Sequence, residues 1–145
     1  GRIINRMIND YVNNNGGRSI AFDSLGQLNY LSALKHVDMV VGNSSSGLIE
    51  APYFKIPTIN IGDRQKGRIQ AQTVISCNAV QKSIAEAIRK GFSNEFRDSI
   101  KDTINPYGDG KTSQRIKNKL KTVDINSDDP AHNLIRKEFY DIINI

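Results

Sequence analysis

DMVVGNSSSGLIEAPYFKIPTINIG, residues 38–62, is the stretch that decides the fold. Two runs rich in apolar residues, 38–42 and 57–62, each end in glycine and are predicted to be buried strands. Between them, the residues from Asn43 to about Phe54 predict a serine-rich loop that leads into a short helix. Because proline removes a hydrogen bond from a helix interior, Pro52 makes that helix short or kinked.

The flanking residues continue the alternation of strands and helices. Short apolar runs predict one strand at 19–22 and another at 73–76. Apolar residues at every third position predict a helix over 25–37, and helical spacing predicts another over 80–91 that ends at its glycine. Strands separated by helices are typical of a parallel sheet with covering helices. The sequence therefore predicts an α/β, Rossmann-like domain over residues 1–124.

Further helices are predicted toward both ends of the chain. The first, 3–12, has no cap at its start, so we expect the domain to be truncated at its N-terminus. Ser93 is predicted to cap another helix, and a lysine-rich helix with a solvated face follows the loop 106–110. Residues 125–145 are predicted to be a linker and a C-terminal helix that packs on the domain or on a partner.

Composition excludes several classes of protein. The chain has 145 residues, of which 38% are hydrophobic, and this is enough for one core. Its net charge of +5 is spread among acidic residues rather than gathered in a basic arm, so no nucleic acid is expected as a partner. No membrane span or signal peptide is evident, which indicates a cytoplasmic protein. The lone Cys77 has no partner for a disulfide or a metal site, and no cofactor is expected.

Three serines after the first strand of this stretch are a candidate anion site. Ligands of open parallel sheets bind beyond the carboxyl ends of the strands, where loops lead into helices. Ser44, Ser45 and Ser46 could present hydroxyl groups there beside backbone amides, between Gly42 and Gly47. The alternative is that one serine caps the helix and the others fill a tight turn. No lysine follows the glycine, so this is not a Walker loop.

Two further groups of charged residues could complete the site. Glu50 could accept hydrogen bonds from two ribose hydroxyls, or it could be only a favourable charge near a helix start. Arg64, Lys66 and Arg68 follow the next strand and should open at the same edge, where they could close over a diphosphate or be solvated surface charges. No triad or carboxylate pair stands out, so no catalytic residue is predicted in this chain.

Two ordered motifs resemble those of a known family. Residues 40–52 running into 56–68 closely resemble the hydrolysing UDP-N-acetylglucosamine 2-epimerases of sialic acid and related sugar synthesis. Residues 105–110, Asn-Pro-Tyr-Gly-Asp-Gly, resemble a second signature shared with the non-hydrolysing epimerases. The resemblance spans roughly residues 1–121. It implies the C-terminal half of a GT-B fold, which consists of two Rossmann-like domains, each a parallel sheet with helices on both faces, with the active site between them.

The resemblance also implies how the serine loop binds its ligand. Ser44 and Ser45 would contact the diphosphate of UDP or UDP-N-acetylglucosamine, and the backbone around Ser46 and Gly47 would assist. Glu50 would hold the ribose hydroxyls.

Residues outside the serine loop are implicated by the same resemblance. Arg64 matches an arginine that contacts UDP in the family, and Arg68 lies in a cation-rich context. The backbone of Ser24 and Leu25 aligns with the segment that reads uracil.

The family's reaction inverts C2 of UDP-N-acetylglucosamine by eliminating UDP, after which the hydrolysing branch adds water to give free N-acetylmannosamine. The acids that move those protons belong to the N-terminal domain in the family, so the resemblance implies that this chain alone binds UDP weakly and is inactive. The missing N-terminal domain is the implied partner, and a homo-oligomer is also open. The alternatives are the nucleotide-sugar half of a GT-B glycosyltransferase and a stand-alone binding module.

Overall fold

The structure, a computed structural model, describes residues 2–122. They form two compact units, the first of which ends at Pro106 while the second begins at Tyr107. The predicted linker and C-terminal helix at 125–145 lie outside the described residues. The elements follow in the order α1 Arg2–Asn14, α2 Gly26–Leu34, β1 Val40–Gly42, α3 Ser46–Ile49, a 3₁₀ turn Ala51–Phe54, β2 Thr58–Ile61, β3 Val74–Cys77, α4 Gln81–Phe92, α5 Asn94–Ser99 and α6 Thr112–Thr122.

The first unit is built on a parallel sheet of three strands in the order β1, β2, β3. Ile59 at the centre of the sheet lies opposite Val41 of β1 and Ile75 of β3. Parallel neighbours cannot be joined by a tight turn, so the chain crosses from β1 to β2 through α3 and its 3₁₀ turn. The α/β class and the strands predicted on either side of the serine loop are confirmed.

Helices cover both faces of this sheet, and two glycines show which helix lies on which face. A Cβ placed on Gly47 of α3 would come within 2.7 Å of Thr58 Cγ2. A Cβ placed on Gly91 of α4 would come within 2.5 Å of Met39 Cε and 3.5 Å of Ile59 Cδ1. Because successive residues of a strand point to opposite faces, Thr58 and Ile59 assign α3 and α4 to opposite sides. The predicted Rossmann-like layering is confirmed.

Gly91 does not end its helix as predicted, since α4 continues to Phe92. The residue is buried, and an added Cβ would lie 2.5 Å from Met39 Cε and 3.3 Å from Pro57 Cβ. Glycine at this position therefore lets the helix pack closely on the sheet and does not form a left-handed stop.

The core of the first unit is small and lies between the sheet and its helices. Leu48 of α3 and Ile59 of β2 are both 0% exposed, and Leu34 and Ile100 are 2% exposed. Leu48 anchors the one-turn helix that follows the serine loop, so the loop is held in place by the core.

The strand predicted at Ser19–Phe22 is wrong. This segment has no regular secondary structure, and Ile20 and Phe22 are 73% and 59% exposed. A strand exists only when its backbone bonds to a neighbouring strand, and within residues 2–122 no strand pairs with this segment.

The predicted first helix is confirmed as α1, but none of its residues is buried. Its apolar side chains lie exposed along the helix: Ile3, Ile4, Met7, Ile8 and Tyr11.

Within residues 2–122, no helix combines the length and the apolar composition that crossing a bilayer requires.

The second unit contains the loop that begins at Tyr107 and the predicted lysine-rich helix, α6. The Asp109 carboxylate accepts hydrogen bonds from the Lys111 amide at 3.0 Å and from Arg115 Nη2 at 2.6 Å. These contacts, the Lys111 bond first, lower the pKa of Asp109. All the described residues of α6 are exposed, which confirms that its lysines are solvated.

Candidate functional site

The serine loop connects β1 to α3 over three residues, Asn43–Ser45. The helix has a single turn and ends at Ile49, and Glu50 joins it to the 3₁₀ turn in which Pro52 is buried. The prediction of a short or kinked helix is therefore confirmed. Since so short a helix has little macrodipole, any anion affinity of this loop must come from its hydroxyl and amide groups.

The hydroxyl groups of the loop are connected to one another and to α2. Ser44 Oγ and Ser46 Oγ lie 3.1 Å apart, and the Ser46 amide donates to Ser44 Oγ at 3.4 Å. Tyr30 of α2 donates its phenolic hydroxyl to Ser46 Oγ at 2.9 Å. The sequence did not identify Tyr30, because it falls outside the leucine periodicity that predicted this helix.

The backbone amides of the loop differ in whether they are already bonded. The Gly47 amide donates to the Ser44 carbonyl at 3.3 Å, and the Leu48 amide donates to the Ser45 carbonyl at 3.0 Å. The Ser44 and Ser45 amides find no acceptor in the described part of the chain. Unpaired amides beside hydroxyl groups are hydrogen-bond donors of the kind that bind anions.

Gly47 serves a structural purpose that the sequence did not reveal. It is buried, and its α-carbon faces Thr58 of β2 and not the loop mouth. Its lack of a side chain therefore permits α3 to approach the sheet.

A cavity of about 740 Å³ adjoins the serine loop at the start of α2. Its lining brings together Ser24, Leu25 and Glu50, which are distant in sequence but are predicted to bind the nucleoside, and adds Asp23 and Tyr30. Glu50 is half-buried, and Ser24 Oγ accepts a hydrogen bond from the Gly26 amide at 3.1 Å. The residues predicted to bind uracil and those predicted to bind ribose therefore line the same cavity.

The loop after β2 is attached to the serine loop by Gln65. This side chain is 3% exposed, and its Nε2 donates to the backbone carbonyl of Asn43 at 2.7 Å. The expectation that both loops open at one edge of the sheet is thereby confirmed. Gln65 was overlooked because it is the neutral residue in a run of charges.

The cations of this second loop point to solvent and are free for a ligand. Arg64 and Arg68 are exposed, and neither forms an ion pair within residues 2–122. Gln65 Oε1, between them in sequence, is buried and has no hydrogen-bond partner among the described residues.

The second sequence signature also reaches the serine loop. Asn105 Nδ2 donates to the Ile49 carbonyl at 2.8 Å, across a separation of 56 residues. Carbonyl groups at the end of a helix lack partners within it, so Asn105 completes the last turn of α3 immediately before Glu50.

Several known proteins similar to this chain are named as sugar-nucleotide 2-epimerases. A GDP/UDP-N,N'-diacetylbacillosamine 2-epimerase (hydrolyzing) of Campylobacter jejuni is 42% identical over 97 residues, which are 67% of this chain and 25% of that protein. A UDP-N,N'-diacetylbacillosamine 2-epimerase (hydrolyzing) of Legionella pneumophila is 34% identical over 127 residues, 88% of this chain and 32% of that protein. A UDP-N-acetylglucosamine 2-epimerase of Neisseria meningitidis is 39% identical over 95 residues, which are 65% of this chain and 24% of that protein.

These similarities extend over only part of each relative, since the matched chain spans about a quarter to a third of their length. The family model for UDP-N-acetylglucosamine 2-epimerase matches residues 1–121, a range that contains β1, the serine loop, the loop of Gln65 and the Asn105 signature. Because this match covers all the elements that build the site, the chain belongs to the UDP-N-acetylglucosamine 2-epimerase family.

Proposed function

We propose that this chain binds the UDP part of a UDP-sugar for a hydrolysing 2-epimerase. The observation that carries the proposal is the placement of the 740 Å³ cavity, with Ser24, Leu25 and Glu50 in its lining, directly beside a loop that has unpaired amides at Ser44 and Ser45. A nucleoside diphosphate likewise consists of a nucleoside, which could lie in the open cavity, and an anion, which could lie beside the amides.

The diphosphate is proposed to lie at the mouth of the serine loop. Ser44 and Ser45 offer amides and hydroxyl groups, and Ser46 and Gly47 complete the turn that presents them. The positive charges of the facing loop, Arg64 first and Arg68 second, would neutralise the phosphates. Arginine suits this role because its planar fork can donate two parallel hydrogen bonds to phosphate.

The nucleoside is proposed to occupy the cavity. The Ser24 and Leu25 backbone would read uracil at one end, and the half-buried Glu50 carboxylate would accept hydrogen bonds from the ribose hydroxyls.

The parent activity is proposed to be inversion at C2 of a UDP-2-acetamido sugar, with release of UDP and a free sugar. The sugar would be N-acetylglucosamine, which gives N-acetylmannosamine, or a diacetamido analogue, since relatives are named for both substrates. This chain would provide the nucleotide site, and the acids that move protons would be supplied by the rest of a longer protein. The match to only part of each relative and the uncovered apolar face of α1 support such a partner.

A UDP titration of the ¹⁵N-labelled chain, followed by NMR, tests the nucleotide site. Saturable shifts are expected at the amides of Ser44, Ser45 and Glu50 and at Ser24 and Leu25. Glu50→Ala should weaken UDP binding about tenfold, the effect of losing hydrogen bonds to a charged group. Glu95→Ala, an exposed acid in α5, is the matched control and should leave the affinity unchanged. Shifts confined to surfaces remote from both loops would contradict the assignment.

The parent activity is tested on a full-length protein that contains this chain. Release of UDP together with free N-acetylmannosamine from UDP-N-acetylglucosamine is expected, and the 145-residue chain alone should show no turnover. Transfer of the sugar to an acceptor would instead favour a glycosyltransferase.

A further inference from the structure

The serine loop contains a chain of three hydroxyl groups that begins at Tyr30. Tyr30 Oη donates to Ser46 Oγ at 2.9 Å, and Ser46 Oγ lies 3.1 Å from Ser44 Oγ. Tyr30 and Ser46 are half-buried and Ser44 is exposed, so the chain runs from the wall of the cavity to the mouth of the loop.

Each hydroxyl has one hydrogen to donate and two lone pairs, so the 3.1 Å pair of Ser44 and Ser46 permits either serine as the donor. Because Ser46 Oγ accepts the hydrogen of Tyr30, its own O–H is polarised, which favours it as the donor to Ser44 Oγ. In this order Ser44 Oγ accepts from the Ser46 hydroxyl and also from the Ser46 amide at 3.4 Å. Its lone pairs are then occupied from within the loop, and its own hydrogen is left for an acceptor outside the loop.

We propose that Tyr30 is a positioning residue that makes the Ser44 hydroxyl a hydrogen-bond donor to the ligand phosphate, by way of Ser46. The proposal rests on the proposed UDP site. Phosphate oxygens only accept hydrogen bonds from hydroxyl groups, so a loop whose serines are oriented as donors is prepared for that anion before it arrives. Hydrogen bonds in such a chain also polarise one another, which makes the terminal donor stronger.

Tyr30→Phe isolates this effect, because it removes the hydroxyl and keeps the ring that lines the cavity. UDP affinity of the 145-residue chain should fall about three- to tenfold, as expected for one weakened hydrogen-bond chain. The affinity for uridine, which has no phosphate, should be unchanged. Tyr53→Phe is the matched control, since Tyr53 is 66% exposed and its hydroxyl has no hydrogen-bond partner in the described region.

A double-mutant cycle tests whether Tyr30 acts through Ser44. In a Ser44→Ala background, Tyr30→Phe should cause no further loss of UDP affinity, because the terminal donor is already absent. Ser46→Ala interrupts the same chain of hydroxyl groups at its middle. It should lower the affinity for UDP as Tyr30→Phe does and leave the affinity for uridine unchanged. It also serves as the second variant if Tyr30→Phe lowers the melting temperature of the protein.

The outcomes separate this proposal from the UDP site itself. If the unmodified chain shows no saturable binding of UDP, the proposed function fails and the positioning role fails with it. If UDP binds and Tyr30→Phe binds it equally well, the site stands and the positioning role is overturned. Equal losses for UDP and uridine, or additive losses with Ser44→Ala, would also overturn it, because they would show that Tyr30 supports only the shape of the cavity.

Discussion

Gln65 Nε2 and the Asn43 carbonyl oxygen lie 2.7 Å apart, in a hydrogen bond that joins the loops at the ends of β1 and β2. The bond is buried at its donor end, where Gln65 is 3% exposed. It connects the loop of serine hydroxyl groups to the loop of arginines, and so it determines the separation of the groups proposed to hold a diphosphate.

Gln65→Leu should lower the free energy of unfolding by about 1–3 kcal/mol, because the Asn43 carbonyl loses its partner at a partly buried position. UDP affinity should fall as well, since the loop of Arg64 would no longer be bonded to the serine loop. Denaturant unfolding and calorimetric titration measure the two effects. Gln72→Leu is the matched control, at an exposed glutamine with no hydrogen bond in the described residues, and the prediction fails if both variants behave alike.

Gly47→Ala should destabilise the chain by about 1–3 kcal/mol through overpacking, because the new Cβ would meet Thr58 Cγ2 at 2.7 Å. Thr58→Ser removes that methyl group, so the double variant should recover most of the loss. Gly17→Ala, where the added carbon meets nothing within 4 Å, is the control. Thermal unfolding of the unmodified chain, the two single variants, the double variant and the control measures the effect. A double variant no more stable than Gly47→Ala would contradict this explanation of the glycine.

Asn105→Asp should weaken the turn before Glu50, because a carboxylate cannot donate to the Ile49 carbonyl that Asn105 Nδ2 reaches at 2.8 Å. The expected loss in unfolding free energy is about 1–3 kcal/mol. The proposed contact of Glu50 with ribose should be impaired, so UDP affinity should fall more than the affinity for inorganic pyrophosphate. Asn29→Asp, an exposed substitution on α2, makes the same chemical change without these effects.

Asp109 should titrate below its ordinary pKa of 3.8, because the Lys111 amide and then the Arg115 guanidinium favour its ionised form. Since the folded-state pKa is lowered, the stabilisation is present above the ordinary pKa and is lost as the pH falls through the lowered value. Carboxyl NMR of the chain measures the pKa.

Arg115→Gln should raise the pKa of Asp109 only part of the way to its ordinary value, because the Lys111 amide is the larger cause. Lys119→Gln removes the same charge from α6 without a contact to Asp109 and should leave the pKa nearly unchanged. An Asp109 pKa at or above its ordinary value in the unmodified chain would refute the hydrogen bonds described for this loop.

Much of the fold could be predicted because it depends on local signals. The apolar runs on either side of the serine loop became β1 and β2, and Ser93 caps α5 as predicted, with its Oγ accepting from the Phe96 amide at 3.2 Å. A capping side chain and the amide that donates to it are three residues apart, so sequence spacing alone brings them together. The strand predicted at 19–22 failed because strand formation requires a neighbour, which a local pattern cannot report.

The site could be predicted only in part, for a related reason. Ser44 and Glu50 stood out because they follow a strand end in a recognisable motif. The side chains that hold their loop, Tyr30, Gln65 and Asn105, contact it across 16, 22 and 56 residues. Their role depends on how the sheet and helices pack, and no spacing in the sequence indicates it.

The one-turn helix α3 has a consequence for how this site can change. A helix so short has no stability of its own, so its shape is imposed by the residues that pack around it and bond to it. The preference of the loop for one ligand over another can therefore be altered by substitutions at positions that never touch the ligand. Divergence of specificity among relatives should be sought in these supporting positions as much as in the serines themselves.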